Sequence, residues 1–330
     1  MPSIDPPFAQ TEDLVQQPAN YLPLIVLLGP TAVGKSDVAI YLASNLNGEI
    51  VSADSRLLYR GMDIGTAKPT LKERMQVPHH LIDVADPDET WSLAMFQNAA
   101  RKAIQEIDEC GHLPILVGGT GQYIYAIIDE WELPKVEPNL KLRASLERWA
   151  DEVAPEGLYD RLIVLDPVAA SHIDPRNTRR IVRALEVIFS TGYRFSDQRM
   201  KKRSPYHILK IGLIRPRNEL YQRIDERIQK MLEAGFVSEV QTLLEHNYSP
   251  DTPAFSAIGY HEIIQHLQGA ISLDEAVMLI KRHTRKFVRR QSNWFRQDDV
   301  DILWFSMENG VNAQILTTIR QWLKANSMQT

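Results

Sequence analysis

Cysteine is nearly absent from this 330-residue sequence, with Cys110 the only one. A lone cysteine excludes an internal disulfide framework and a cysteine-based zinc site, and it suits a reducing, cytoplasmic compartment. Apolar runs long enough to cross a bilayer are also missing, so no membrane partner is expected. Residues 1–20 carry Asp5, Glu12 and Asp13 with no basic start and no apolar stretch. They read as a disordered leader and not as a signal peptide. Acids are absent from residues 281–296, which hold seven Lys or Arg, and sparse over residues 172–217, with twelve Lys or Arg against three acids. The net charge is nevertheless −5. Basic stretches confined to the second half of an acidic chain point to a polyanion met by that half; solvated basic helix faces are the alternative.

The sequence does contain enough apolar residues, 44%, for a sizeable core, with an ordinary 24% charged. Its length predicts a main domain plus an insertion. The most informative stretch is Gly29, Pro30, Thr31, Ala32, Val33, Gly34, Lys35 and Ser36, which fits the phosphate-binding pattern G-x-x-x-x-G-K-[ST]. The apolar run at 24–28 predicts a buried strand before it, and Val38, Leu42 and Leu46 predict a helix after it. Strand, glycine loop and helix N-terminus make an anion site. Lys35 then reaches the terminal phosphates, and the Ser36 hydroxyl is a ligand for Mg²⁺. Whether the anion belongs to a nucleotide such as ATP or to another diphosphate stays open at this point.

A second strand over 49–52 leads to Asp54, at the rim where open α/β sheets bind ligands, or else in place as a helix N-cap. His79 and His80 sit beside Asp83, but neighbours on a strand face opposite ways, so they are expected to be structural and not to share a metal. A strand over 113–117 opens into Gly118, Gly119, Thr120 and Gly121, where a phosphate-loop ATPase would carry a magnesium-binding acid. That departure weighs against an ordinary ATP hydrolase. From 131 to 205 the strand–helix alternation stops. Helical spacing runs through Leu140, Leu146 and Trp149, then through Ile181, Leu185, Ile188 and Phe189. A strand over 209–214 returns the chain to the sheet and puts Arg217 on its rim. Helices over 220–244 and 273–296 and a strand over 302–305 follow. The predicted architecture is α/β: a P-loop NTPase-like, kinase-like parallel sheet formed by residues 21–131 and 205–330, with an all-helical insertion over 132–204 entered at Pro134.

Several motifs coincide in order and spacing: GPTAVGKS from Gly29, DSRLLYRGMDIGTAKP from Asp54, HHLID from His79, LVGGTGQY from Leu116, RRIVRALEV from Arg179 and RKFVRRQSNWFR from Arg285. Together they make the chain resemble the tRNA dimethylallyltransferases, the bacterial tRNA isopentenyltransferase family, over nearly its whole length after residue 20. The resemblance implies transfer of the dimethylallyl group of dimethylallyl diphosphate to N6 of the adenosine 3′ of the anticodon (tRNA position 37), in tRNAs reading codons that begin with U. It implies that residues 29–36 with Lys35 and Arg217 hold the diphosphate, with Mg²⁺ bound at Ser36. Thr120 then meets the leaving oxygen, and Asp54 is the general base. It further implies that the tRNA anticodon stem-loop is gripped by Asp54, Ser55, Arg56, Leu57, Thr120, Lys141, Arg179, Arg180, Ile181, Val182, Arg183, Ser256, Ala257, Ile258, Gly259, Tyr260 and His261. The enzyme is expected to be a cytoplasmic monomer of bacterial or organellar type, since eukaryotic members add a zinc finger. Leu57 and Ser256 depart from the family pattern, which often has Gln at the first position and Gln or Arg at the second. A relative acting on free adenine nucleotides would need no tRNA grip, so the basic stretches favour the tRNA enzyme.

Overall fold

The computed structural model describes residues 21–133, 139–198 and 203–327. The leader expected over 1–20 and the insertion's start at Pro134 lie outside the described residues. Among the described residues, six parallel strands form one sheet: β1 (Leu22–Leu28), β2 (Gly48–Ala53), β3 (His79–His80), β4 (Leu113–Gly118), β5 (Tyr206–Ile214) and β6 (Ile302–Ser306). Their spatial order is β3-β2-β4-β1-β5-β6. β1 lies between β4 and β5 and buries Leu24, Ile25, Val26, Leu27 and Leu28 completely, as a continuous apolar run in a parallel sheet should. Strand order reverses on either side of β1, so its carboxyl end, where residues 29–36 begin, is the switch point at which such sheets bind ligands.

The helices between strands are α1 (Lys35–Leu46), α2 (Leu71–Gln76), α3 (Leu93–Glu109) and α4 (Gly121–Ile128). α1 and α3 pack against β2 and β4. α3 starts from its N-cap Ser92, whose side chain accepts from the Met95 N–H, and it buries Phe96, Ala103, Ile104 and Ile107. The insertion contains α5 (Leu140–Leu165), α6 (Pro167–Ser171) and α7 (Thr178–Thr191). These helices gather an apolar cluster of their own, including Leu146, Leu158, Leu162, Ile181, Leu185 and Ile188, separate from the cluster around the sheet. The wholly buried Glu186 organises one end of this cluster, accepting from the Asn139 N–H at 2.8 Å and pairing with Arg143 and Arg183. Leu140 and Phe189 belong to the periodic pattern yet lie exposed, Leu140 as the first residue of α5.

After β5 come α8 (Arg217–Glu233), α9 (Phe236–Glu245), α10 (Tyr260–Leu267) and α11 (Leu273–Gln291), and after β6 comes α12 (Val311–Ser327). The single helix expected over 220–244 is two, because Gly235, at φ 97°, turns the chain between α8 and α9. α11 stops at Gln291 instead of running to Arg296. Short α4 and α10, and α12 beyond the last strand, are not anticipated by the sequence patterns followed above. Among the described residues no helix is long and apolar enough to cross a membrane.

Candidate active site

The loop after β1 turns through two left-handed residues, Ala32 (φ 61°) and Gly34 (φ 113°), before entering α1. This geometry points successive backbone N–H groups to one side, next to the helix N-terminus. Lys35 donates from Nζ to the carbonyls of Gly29 (3.0 Å) and Pro30 (2.8 Å), which holds its ammonium over the loop. A cavity of about 350 Å³ opens there, lined by Thr31, Ala32, Gly34, Lys35, Ser36, Asp54, Leu57, Thr66 and, from α8, Arg223, Arg227 and Lys230. The structure therefore brings Lys35, Ser36 and Asp54 together as the sequence predicts. Asp54 is not a helix cap. Its Oδ1 accepts from the Arg56 N–H at 2.9 Å, a tight turn that leaves the rest of the carboxylate to the cavity.

Arg217 is the exception. It is the first residue of α8 and lines a different cavity, of about 250 Å³, with Pro30, Arg215, Arg289, Gln291, Phe295 and Trp304. The cations that join Lys35 come from farther along α8. Arg223 donates from Nε to the Ala32 carbonyl (2.8 Å), and Arg227 reaches Thr31 Oγ1 (3.4 Å) and the Thr66 carbonyl (3.2 Å). Sequence reasoning passed over both. The available signal was their four-residue spacing on the helix that follows β5, which puts two guanidinium groups on one face.

Electrostatics follow from this crowding. Burial presses the Lys35 ammonium down to about 8, with Asp54 resisting the shift and Arg227 adding to it. Burial likewise lowers Arg227, which Asp54 opposes and Arg223 reinforces. A cavity whose cations, Lys35, Arg223, Arg227 and Lys230, outnumber its carboxylates, Asp37, Asp54 and Glu226, favours an incoming polyanion, whose charge relieves the cations' mutual repulsion.

A smaller inner chamber of about 70 Å³ continues from Lys35, Ser36 and Asp54 to Ile50, Ser52, Ile82, His79 and Val117. Ser52 is 4% exposed, and its hydroxyl has no hydrogen-bond partner. The oxygens of Ser36, Ser52 and Asp54 are the hard donors that Mg²⁺ prefers. No group of three or more His, Cys, Asp or Glu suited to a metal occurs among the described residues. His79 and His80 take separate partners, the Val77 carbonyl (2.7 Å) and Glu49 (2.5 Å).

The segments expected to grip RNA are partly brought together. Arg56 joins residues 54–57 to the turn before α10, donating to the Pro253 and Ala254 carbonyls and to Ser256 Oγ (3.2 Å). Ser256 and His261 are exposed and Ile258 is half-buried, but Ala257, Gly259 and Tyr260 are inside. The Tyr260 hydroxyl donates to Glu239, which also accepts the N–H groups of Asp63, Ile64 and Gly65. Lys141, Arg179 and Arg180 are exposed, Ile181 and Val182 are buried in the insertion's cluster, and Arg183 is paired with Glu186. Of the residues expected to grip RNA in these segments, Lys141, Arg179, Arg180, Ser256 and His261 are the exposed ones. Thr120 precedes α4 as its N-terminal flanking residue and makes no side-chain cap, so its hydroxyl is not committed to the helix.

Sheet order, phosphate loop and acid-bearing rim define a P-loop-like α/β protein with a helical insertion. The sequence profile described as IPP transferase matches residues 57–298, and the chain belongs to this family. A tRNA dimethylallyltransferase from Roseiflexus is 50% identical over 304 residues, covering 92% of this chain and all of the relative. Among solved structures, the full-length tRNA isopentenylpyrophosphate transferase of Bacillus halodurans superposes with TM-score 0.68 at 40% identity, covering 92% of this chain and 96% of its own. A eukaryotic dimethylallyltransferase acting on tRNA superposes with TM-score 0.78 at 27% identity, covering 92% of this chain and 80% of its own.

Proposed function

We propose that this chain transfers the dimethylallyl group of dimethylallyl diphosphate to tRNA, at N6 of the adenosine at position 37, in tRNAs that read codons beginning with U. The observation that carries the reading is the single cavity in which Lys35, Arg223 and Arg227 face Asp54. An anion cradle and a carboxylate are the two groups such a transfer needs within reach of one another.

The N6 lone pair forms the new N–C bond to the allylic carbon as that carbon's bond to oxygen breaks. Diphosphate leaves with the electron pair, and positive charge develops on the allyl group. Lys35, Arg223, Arg227 and the loop amides of residues 32–36 hold the leaving anion and stabilise the charge it gains, usually the largest contribution to such catalysis. Thr120, whose side chain does not cap α4, bonds the leaving oxygen in this reading. Asp54 accepts the N6 proton. An adenine amine is weakly basic, so the carboxylate chiefly orients the nucleophile until the bond is nearly made. Mg²⁺ held at Ser36 would neutralise part of the diphosphate charge. The adenosine must leave its stack to reach the rim, which costs on the order of a few kcal/mol. The exposed cations of the insertion support the grip on the anticodon stem-loop. The enzyme works as a monomer, and the lone exposed Cys110 suits the cytoplasm.

The test is incubation with radiolabelled dimethylallyl diphosphate and unmodified tRNA carrying A36-A37. Label should appear at adenosine 37. Its absence, or γ-phosphate transfer from ATP with dimethylallyl diphosphate ignored, would overturn the proposal.

A further inference from the structure

Gln291 is the last residue of α11, the helix whose exposed face carries Arg289 and Arg290, yet Gln291 itself is 3% exposed. Its Oε1 accepts the Thr31 N–H at 2.9 Å, and its Nε2 donates to the Gly119 carbonyl at 2.9 Å. Thr31 belongs to the phosphate loop, and Gly119 immediately precedes Thr120. One buried amide therefore spans the gap between the loop that cradles the anion and the loop that presents Thr120. The fit is tight. A Cβ on Gly119 would lie 2.4 Å from Gln291 Nε2, 3.3 Å from the Gly29 carbonyl oxygen and 3.5 Å from Lys35 Nζ. Backbone, lysine and glutamine converge on one point, and only a glycine leaves room for them.

An apolar side chain would fill this space without the cost of burying an amide. A glutamine repays that cost only through its two directed bonds. The sequence hides the role, because Gln291 sits inside a basic run that looks like a solvated helix face.

We propose that Gln291 is the positioning residue that holds the phosphate loop and the Thr120 loop at their working separation. The leaving diphosphate and the group that receives its charge are thereby kept in register. This rests on the transfer reaction proposed above.

Gln291→Met keeps the length and removes both hydrogen bonds. Loosened positioning should lower kcat for transfer by about 100-fold. The KM for dimethylallyl diphosphate should rise only a few-fold, and tRNA affinity and the thermal midpoint should stay near wild type. Gln291→Glu keeps the acceptor for Thr31 but loses the donor to Gly119 and adds negative charge near Lys35. It should raise that KM more than Gln291→Met does. Wild-type kcat in Gln291→Met, or a fall in kcat matched by equal losses of tRNA binding and thermal midpoint in both variants, would overturn the assignment. Binding of inorganic diphosphate, measured by calorimetry, separates the two layers. If wild type fails to bind it, or Lys35→Ala binds it equally well, the diphosphate site itself is wrong and not only the role of Gln291.

Discussion

Arg56 Nη2 donates to Ser256 Oγ at 3.2 Å across 200 residues of sequence, while Arg56 Nη1 reaches the carbonyls of Pro253 and Ala254. Two segments expected to touch RNA are thus one surface, and Ser256, a departure from the family pattern, acts as the partner of Arg56. Arg56→Ala should weaken tRNA binding by about tenfold, in keeping with the loss of a few charge-assisted hydrogen bonds, and leave diphosphate binding unchanged. Ser256→Ala should cost less, because two carbonyl contacts remain. Filter binding of tRNA beside diphosphate calorimetry checks both; equal loss of the two ligands would mean that Arg56 serves the fold.

Lys35 titrates near 8 in the free protein because burial disfavours its charge. Diphosphate binding needs the ammonium form, so affinity should be steady at neutral pH and fall as pH rises through about 8. Asp54 holds the Lys35 value up. Asp54→Asn should therefore move this alkaline limb to lower pH while transfer falls by about 10²–10⁴-fold. Calorimetry across pH 6.5–9.5 on both proteins reads the limb directly. An unmoved limb in Asp54→Asn would mean that the two groups are not electrostatically coupled.

Much of this was legible in the sequence. A buried apolar run, a glycine loop and helical spacing each report local physics, so β1, residues 29–36 and α1 came out in place, as did the helical character of the insertion. The position of Asp54 beside Lys35 was legible because strand ends converge on the rim of a parallel sheet. Arg223, Arg227 and Gln291 were missed for a shared reason. Each belongs to a helix far along the chain, and only the packing of α8 and α11 against the loop decides which of many Arg and Gln residues turn inward. Tyr260 fails the opposite way: a residue beside a tight turn reads as accessible, whereas Glu239 draws its hydroxyl into the core.

The separation of Arg217 from Lys35 makes a sharp prediction. Arg227→Ala and Arg223→Ala each remove a guanidinium from the anion cavity and should weaken diphosphate binding at least tenfold, the lower end expected for a charge-assisted contact. Arg217→Ala should change it less than twofold. Competition of diphosphate against labelled dimethylallyl diphosphate ranks the three, and a dominant effect at Arg217 would reverse the assignment.

Lys68 is a buried cation whose Nζ donates to Asp63 (2.5 Å), Asp83 (2.6 Å) and the Tyr59 carbonyl (2.7 Å). Burial pushes the Asp83 carboxyl up, but Lys68 and Arg74 together hold it below its ordinary value. A depressed carboxyl stabilises the fold above its unfolded value near 4 and loses that contribution as pH falls through the folded value. Lys68→Met should therefore lower unfolding free energy at pH 7 by about 2–3 kcal/mol and flatten the acid limb of the stability curve. Urea denaturation at pH 7 and pH 3 measures both, and an equal loss at the two pH values would show packing alone at work.

Arg179 and Arg180 project from the first turn of α7, exposed, while Ile181 and Val182 beside them anchor that turn in the insertion's core. A buried base under two exposed cations suits a phosphate backbone, whose binding releases condensed counterions in proportion to the charges neutralised. Arg180→Ala should weaken tRNA binding uniformly across tRNA sequences and reduce the slope of log affinity against log salt by about one. Diphosphate affinity should not move. An unchanged slope would assign Arg180 to a solvated helix face, leaving the grip to Lys141 and the cations of α11.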